Sequence, residues 1–366
     1  MPTIEEQIRA IEEEIRTTEY NKKTQHHIGR LKAKLAKLRA ESEKREKKKR
    51  SGVSFSIKKS GNATVAIVGY PNVGKSTLLN KLTSAKSEIG DYSFTTLKVT
   101  PGIMEYNGAE IQIFDLPGLI EGSSEGKGRG REVLGVIKSA DLILLLIDVF
   151  NYDTKILLNE LMRGGIRVNE KPKEIIVKKK DRGGINVSST FPLTIDDKMI
   201  KNLFNEFGYI NADVIIKERI NEEELIDYLA GNKYYIPAIL VLNKIDMSTT
   251  EELKKIETTL PANFKFFPIS AEKNLGFEEL KKGIYDALSL MRVYMKPLTG
   301  KVDYNEPLVI KKGYTVEDVC ITLHKDFKRK FKYALVSGKS AKFPGQRVGL
   351  KHILMDEDTL TLVVEK

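Results

Sequence analysis

Apolar residues recur at helical spacing near the start of the chain. They lie at Ile4, Ile8, Ile11 and Ile15, and then at Ile28, Leu31, Leu35 and Leu38. Each series would line one face of a helix, and Asn21 with the region around Gly29 would separate the two. We therefore expect an N-terminal helical hairpin within residues 1–50. Residues 41–50 have no apolar stripe, which favours either a solvated helix end or a flexible tether.

From residue 61 onward, short apolar segments alternate with amphipathic ones. The apolar segments have the character of buried strands and cover residues 64–68, 112–115, 142–148, 239–243 and 266–270. Strands that alternate with helices are typical of a parallel sheet with helices on both faces. The sequence therefore predicts an α/β fold whose main domain comprises residues 61–165 and 233–290.

Two regions depart from this alternation. Between Asp148 and Asn243 lie 94 residues, whereas one crossover between parallel strands needs about 30. Strands predicted at 175–179, 184–188 and 212–217, with a helix at 196–207, indicate an inserted α/β subdomain at 166–232. Near the end of the chain, short strands are predicted at 292–296, 307–310, 333–337 and 359–364, around a helix near 316–324. These predict a small α+β domain at 291–366.

The positive charge is concentrated in one stretch. The chain has 61 Lys and Arg against 50 Asp and Glu, a formal charge of +11, and 13 of the basic residues lie within 21–50 against three Glu. Such a block suits either a solvated face with a linker or the binding of a phosphate backbone, above all RNA, which would release counter-ions. Both interpretations stay open.

Cysteine content and apolar runs bear on the compartment. The single cysteine, Cys320, excludes an internal disulfide and fits a reducing compartment. The longest apolar run, 142–147, is too short to span a bilayer, and the first residues form no apolar signal core. We expect a cytoplasmic protein without a membrane partner, and nothing in the sequence argues for an obligate oligomer.

The segment from residue 69 to 77 reads GYPNVGKST and matches the phosphate-loop pattern G-x-x-x-x-G-K-[ST]. It follows a predicted strand and opens a helical segment, as the pattern requires. Backbone N–H groups at the start of the helix would cradle phosphates, Lys75 would neutralise β/γ charge, and the Ser76 hydroxyl would hold Mg²⁺. The nucleotide-binding residues expected here are Gly69, Tyr70, Pro71, Asn72, Val73, Gly74, Lys75, Ser76 and Thr77.

A second motif concerns the terminal phosphate. The sequence DLPG, from Asp115 to Gly118, ends the next apolar strand. A carboxylate in that place reaches Mg²⁺ through water, and the N–H of Gly118 would face the terminal phosphate. Because the phosphate loop also ends a strand, the two motifs would meet at one edge of a parallel sheet.

Two more motifs concern the base. In the sequence NKID, Asp246 could accept the N1–H and N2–H of guanine while Lys244 packs along the ring, after Asn243 has ended a strand. Adenine presents the wrong polarity at that edge, so the site should reject it. The residues Ser270, Ala271 and Glu272 end the last strand and would supply a backbone contact to the guanine carbonyl. Together the four motifs predict a guanine nucleotide site.

The order of the motifs resembles that of the translation-factor-related GTPases, and two segments resemble the Obg group. Residues 91–97, DYSFTTL, resemble its first switch, which implies that Thr96 binds Mg²⁺ and senses the γ-phosphate, with Thr95 as the alternative. Residues 118–130 are the second match, and their glycines predict a mobile switch that γ-phosphate contact orders. The expected catalytic residues are Lys75, Thr96 and Asn72.

The residue after the DLPG motif is Leu119, where Ras-type GTPases carry the glutamine that orients the attacking water. Hydrolysis should therefore be slow. Some GTPases of this wider class recruit potassium through an asparagine of the phosphate loop, and Asn72 occupies that place. We expect K⁺, held in part by Asn72, to supply charge in the transition state. The alternative is that Asn72 only shapes the loop.

Over essentially its full length the chain resembles the developmentally regulated GTP-binding (DRG) proteins, which are related to Obg. The segments that carry the resemblance include LKAKLAKLRAE, GYPNVGKST, DLPGLIEG, KKKDRGGINV, IPAILVLNKID and FKYALVSGKSAKFPGQRVGLKHIL. The resemblance implies an N-terminal helical domain, a Ras-like P-loop GTPase domain with an S5D2-like insert, and a C-terminal β-grasp TGS domain. The phosphate loop and the compact linker are most similar to those of archaeal members.

The resemblance also implies a function. We expect a slow GTP hydrolase, producing GDP and phosphate, whose nucleotide state switches its association with the ribosome in translation. The ribosome or its RNA and a DRG-family regulatory protein are then the expected partners, with Mg²⁺ and K⁺ as cofactors. Two alternatives stay open: an RNA- or ribosome-binding scaffold with incidental hydrolysis, and an Obg-like GTPase of ribosome assembly.

Overall fold

The computed structural model describes residues 3–19, 21, 24–49, 60–83, 100–116 and 129–365. The helices are α1 (Ile4–Thr17), α2 (Gln25–Lys49), α3 (Lys75–Leu82), α4 (Arg129–Ser139), α5 (Lys155–Arg163), α6 (Asp197–Glu206), α7 (Glu222–Ala230), α8 (Thr250–Thr259), α9 (Phe277–Ala287), α10 (Val316–Leu323) and α11 (Lys325–Arg329). The strands are β1 (Ala63–Gly69), β2 (Thr100–Tyr106), β3 (Ala109–Asp115), β4 (Leu142–Asp148), β5 (Ile166–Val168), β6 (Ile175–Lys179), β7 (Ile185–Ser189), β8 (Ala212–Ile216), β9 (Tyr234–Ile236), β10 (Ala238–Asn243), β11 (Lys265–Pro268), β12 (Leu290–Met295), β13 (Leu308–Lys311), β14 (Phe331–Ser337), β15 (Gln346–Val348) and β16 (Asp358–Val364). They form two compact units, one from 1–54 and 165–235 and the other from 55–164 and 236–366.

A six-stranded sheet forms the centre of the second unit. Its order is β11-β10-β4-β1-β3-β2, and all neighbours are parallel except β2, which runs antiparallel to β3. Residues 142–147 of the central strand β4 are entirely buried, as a strand covered on both faces must be. The five strands predicted for the main domain all lie in this sheet, so the predicted α/β class is confirmed.

Strand β2 is absent from the sequence prediction. Its segment, TPGIMEY, contains Pro and Gly and has no apolar run. It pairs with β3 through a turn at Asn107 and Gly108, whose φ angles are 50° and 76°. Because an Asn-Gly pair between two extended segments is a strong hairpin signal, turn chemistry could have revealed this strand.

The insert forms a three-stranded sheet in the first unit. Strand β8 is central, antiparallel to β6 and parallel to β7. The sheet and helices α6 and α7 share a core to which α2 contributes Ala33 and Ala36. The sequence predicts separate domains at 1–50 and 166–232; in the structure, α2 and the insert share this core and lie in one compact unit.

Gly29 lies inside α2, so the expectation that it helps to separate the two helices was wrong. The break lies at Asn21, whose Oδ1 accepts a hydrogen bond from the Thr24 N–H at 3.0 Å. A Cβ at position 29 would lie 2.6 Å from Met199 Cε and 2.8 Å from Glu222 Oε1. Both atoms are the ends of flexible side chains, so a larger residue at position 29 would require Met199 and Glu222 to shift. Helix α2 then continues to Lys49.

The C-terminal segment forms a five-stranded sheet with the order β13-β12-β16-β14-β15. Helix α10 covers its core with Val319 and Cys320. Burial raises the pKa of the Cys320 thiol, which agrees with a packing role. Strand β15 escapes prediction because its three residues, QRV, are too few to show alternation. In the described part of the chain, no helix is both long and apolar enough to cross a bilayer.

Candidate nucleotide site

The phosphate loop joins the end of β1 to the start of α3. Two of its residues have left-handed backbone, Asn72 at φ 62° and Gly74 at φ 94°. A Cβ on residue 74 would lie 2.5 Å from Asn243 Nδ2, so only glycine fits between the loop and the end of β10. Asparagine is among the few other residues that tolerate left-handed backbone. The bend of the loop therefore depends on the residue types at these two positions.

Lys75 is the first residue of α3, and its ammonium folds back over the loop. Its Nζ donates to the carbonyl of Tyr70 at 2.8 Å and to that of Gly69 at 3.3 Å. Desolvation lowers the pKa of Lys75, although the nearby Asp115 carboxylate opposes the shift. A partly desolvated cation held by carbonyl groups can exchange them for phosphate oxygens.

The Ser76 hydroxyl and the Asp115 carboxylate meet beside this cation. Ser76 Oγ donates to Asp115 Oδ2 at 2.5 Å, which joins the first turn of α3 to the end of β3. Both groups offer oxygen ligands of the kind that Mg²⁺ prefers. Mg²⁺ is usually bound by one or two protein oxygens, and water and phosphate oxygens complete its coordination. The pair fits a magnesium site, in which the hydroxyl and the carboxylate would flank the ion.

The side chain of Asn243 links three segments at the base end of the site. Its Nδ2 donates to the carbonyl of Val73 at 2.9 Å, and its Oδ1 accepts the Ala271 N–H at 3.0 Å. The residue is only 3% exposed. The amide thus connects the end of β10 with the phosphate loop through its NH₂ group and with the segment after β11 through its oxygen.

Lys244 crosses from the NKID segment toward the phosphate loop. Its backbone is left-handed, with φ 64°. Its Nζ donates to the carbonyl of Asn72 at 3.0 Å and to Asp148 Oδ2 at 2.5 Å. The same ammonium lies 5.7 Å from the ring centre of Phe150. The cation therefore connects the base end of the site with the phosphate end.

Asp246 faces the segment after β11. The pKa of Asp246 is lowered mainly by a hydrogen bond from the Ser270 side chain. The Lys273 ammonium, whose Nζ lies 3.9 Å from Asp246 Oδ2, lowers it further. Ser270 is fully buried. The Asp246 carboxylate is thereby kept ionised, as an acceptor of two N–H donors must be.

Most of the nucleotide-binding residues predicted from the sequence lie at one edge of the sheet. The residues that the structure places at the carboxyl ends of β1, β3, β10 and β11 are Gly69, Tyr70, Pro71, Asn72, Val73, Gly74, Lys75, Ser76, Thr77, Asp115, Asn243, Lys244, Asp246, Ser270, Ala271 and Glu272. Ligands of open parallel sheets bind at this edge. Thr96, its alternative Thr95, Gly118 and Leu119 lie outside the described residues.

Family models match three consecutive segments of the chain. Residues 64–180 match a 50S ribosome-binding GTPase, 182–290 match the C-terminal region of that domain, and 291–364 match a TGS domain. An uncharacterized GTP-binding protein of Methanocaldococcus jannaschii is 54% identical, over 99% of this chain and 93% of that protein. Developmentally-regulated GTP-binding protein 1 of Xenopus laevis is 43% identical, over 85% of each chain. The chain belongs to the DRG family.

A solved structure also resembles the chain. The GTP binding protein from Pyrococcus horikoshii OT3 matches 82% of this chain and 100% of its own, with a TM-score of 0.47 and 15% identity. The family membership rests on the sequence relatives alone, and it confirms the resemblance read from the motifs.

One residue of this DRG-family site was missed by sequence analysis. Asp148 ends β4, between the phosphate loop and the NKID segment, and binds Lys244. A carboxylate directly after six buried apolar residues of a parallel strand was the available signal, because such a position lies at the ligand edge.

Proposed function

We propose that this protein binds GTP and hydrolyses it slowly to GDP and phosphate, as a potassium-stimulated switch of ribosome association. The observation that carries the proposal is the meeting of Lys75, the Ser76–Asp115 pair and Asp246 along one sheet edge. The first three suit a phosphate chain with a divalent cation, and the last suits guanine. The DRG relatives are named for GTP binding.

Residues at the phosphate end of the site would change their partners when GTP binds. Lys75 would give up its contacts with the carbonyls of Gly69 and Tyr70 and bind β/γ-phosphate oxygens instead. Ser76 and Asp115 would part to hold Mg²⁺, which supplies positive charge beside those oxygens when bound. In hydrolysis, a water oxygen bonds to the γ-phosphorus while the bond to the bridging oxygen breaks, leaving GDP and phosphate. Lys75 would stabilise the negative charge that grows on the leaving oxygens.

The potassium part of the proposal rests on Asn72. Its main-chain carbonyl accepts a hydrogen bond from Lys244, its backbone is left-handed, and the residue is exposed in the loop that precedes Lys75. An amide oxygen in this place could help to hold a monovalent cation near the phosphates. The competing role for Asn72 is to shape the loop, since asparagine tolerates φ near 62°.

Two variants separate these roles of Asn72. Asn72→Gly permits the same backbone but lacks the amide, whereas Asn72→Ala lacks the amide and strains the backbone. We expect turnover of GTP to be faster in KCl than in NaCl, and this advantage to be lost in both variants. Asn107→Ala, which alters a left-handed asparagine in the β2–β3 turn, is the matched control and should keep it. Equal wild-type rates in the two salts would refute the potassium role, and a potassium response retained in Asn72→Gly would assign Asn72 to loop shape.

The ribosome is the proposed partner, in the cytoplasm and in company with a DRG-family regulatory protein. In support, the family model over 64–180 is described as ribosome-binding, and the basic stretch 21–50 includes Arg30 and Lys34 on the exposed side of α2. Ribosome binding should be stronger with a GTP analogue than with GDP. Equal binding with both and without nucleotide would favour the scaffold alternative, and binding only to precursor subunits would favour ribosome assembly.

A further inference from the structure

Asp148 uses its two carboxylate oxygens for different purposes. Oδ1 accepts the N–H groups of Phe150 at 3.0 Å and Asn151 at 2.8 Å, which closes the turn after β4. Oδ2 accepts the ammonium of Lys244 at 2.5 Å. The carboxylate is nearly inaccessible, with 6% of the side chain exposed, whereas 30% of the Lys244 side chain is exposed. A buried, fixed anion thus holds the end of a partly exposed, flexible side chain.

The cation held in this way also bonds the phosphate loop. Lys244 Nζ donates to the carbonyl of Asn72 at 3.0 Å. A lysine side chain has four rotatable bonds and does not by itself select one geometry. With the ammonium fixed at both Asp148 and Asn72, the aliphatic part of Lys244 is held in one path beside the base end of the site. The strand order places Asp148 for this task, because β4 lies between β1 and β10.

We propose that Asp148 is a positioning residue for guanine nucleotide binding: it holds Lys244 against the phosphate loop before the nucleotide arrives. The proposal rests on the proposed function, since it assumes that the base packs along Lys244. Pre-organisation of this kind raises affinity by reducing what must be ordered on binding. The competing role of Asp148 is only to close the turn at Phe150 and Asn151.

Asn in place of Asp148 cannot do both tasks. An amide has only one oxygen, so its NH₂ group would face either the turn N–H groups or the Lys244 ammonium. In both cases two hydrogen-bond donors would face each other without an acceptor. Asp148→Ser is the complementary variant, because a hydroxyl can still accept from a turn N–H but is too short to hold Lys244. Asp148→Ser should therefore release Lys244 and keep the turn, whereas Asp148→Asn releases Lys244 when its amide oxygen keeps the turn.

The test is the affinity of the purified full chain for a fluorescent GDP analogue, measured as a double-mutant cycle with Lys244→Ala. Coupled contact residues show interaction energies equivalent to roughly 2- to 150-fold in affinity. We expect Asp148→Asn and Asp148→Ser each to weaken binding about tenfold or more in the wild-type background. In the Lys244→Ala background they should cause little further loss, because the group they position is gone. Asp153→Asn, in the same loop, is the matched control and should bind like wild type.

The outcomes are distinguishable. Losses of equal size in the two backgrounds would assign Asp148 to turn closure and overturn the proposal. Binding within twofold of wild type in both Asp148 variants would overturn it as well, while tight wild-type binding would leave the proposed function standing. If the folded wild type binds neither GDP nor GTP, the proposed function fails, and this role fails with it. Should Asp148→Asn not fold, the Asp148→Ser cycle carries the same test.

Discussion

Removal of the Asn243 side chain should destabilise the nucleotide-free protein strongly. In Asn243→Ala, the Val73 carbonyl and the Ala271 N–H both lose their amide partner. Both residues are buried, at 1% and 3% exposure, so water does not readily replace the lost bonds. An unsatisfied buried polar group costs about 1–3 kcal/mol. The loss for the pair is therefore about 3 kcal/mol, which is on the order of a hundredfold in the folding equilibrium.

A matched asparagine serves as the control. Asn62 also bridges two segments, since its Oδ1 accepts the Glu110 N–H at 2.8 Å and its Nδ2 donates to the Val309 carbonyl at 3.4 Å. Asn62 is exposed, however, so water can take the place of its amide. Asn62→Ala should therefore cost about 1 kcal/mol or less.

Urea unfolding followed by circular dichroism measures the two losses without nucleotide, and hydrogen exchange reports the protection of the Ala271 amide directly. In Asn243→Ala this amide should exchange much faster, whereas in Asn62→Ala it should keep its protection. If the two variants lose equal stability, or if the Ala271 amide stays protected without its acceptor, Asn243 does not link these segments as the hydrogen bonds indicate.

Three further predictions concern charged groups. Lys75→Ala should reduce GTP turnover by on the order of a hundredfold or more with the fold intact by circular dichroism, and near-normal turnover would remove the assignment of the phosphate site. Burial lowers the pKa of Lys75 in the folded state, so the folded protein releases this proton at lower pH than the unfolded chain does. The charged ammonium therefore destabilises the folded state at neutral pH. This destabilisation decreases as the pH rises through the lowered pKa. Lys75→Met should therefore stabilise the nucleotide-free protein near neutral pH and less so in alkali, and a gain that does not vary with pH in urea titrations would contradict this. Arg167→Ala should destabilise the protein by about 1.5–3 kcal/mol, because it removes the guanidinium hydrogen bonds to the buried Asp227 carboxylate, whereas Lys233 Nζ stays 3.5 Å from Asp227 Oδ1; a melting temperature equal to that of wild type would be the opposing result.

Local sequence was sufficient for the elements whose contacts are close along the chain. The phosphate loop can be recognised from nine consecutive residues between a strand and a helix, GYPNVGKST, and the two hydrogen bonds of its Lys75 ammonium join residues only five or six positions apart. The apolar run of β4 likewise predicts a strand buried on both faces. Residue pattern is enough in such cases, since the periodicity and the turn residues lie within one short window.

Only the tertiary structure assigned tasks to residues that meet from distant parts of the chain. Gly29 has the appearance of a helix breaker until the packing against Met199 is known. Asp148 ends an ordinary buried strand, and its pairing with Lys244 joins residues 96 positions apart. Whether these two meet depends on the order of strands in the sheet, which periodicity does not encode. The sequence determined most of the elements and the chemistry that they carry. The placement of β4 between β1 and β10 decided which charged side chain meets which loop.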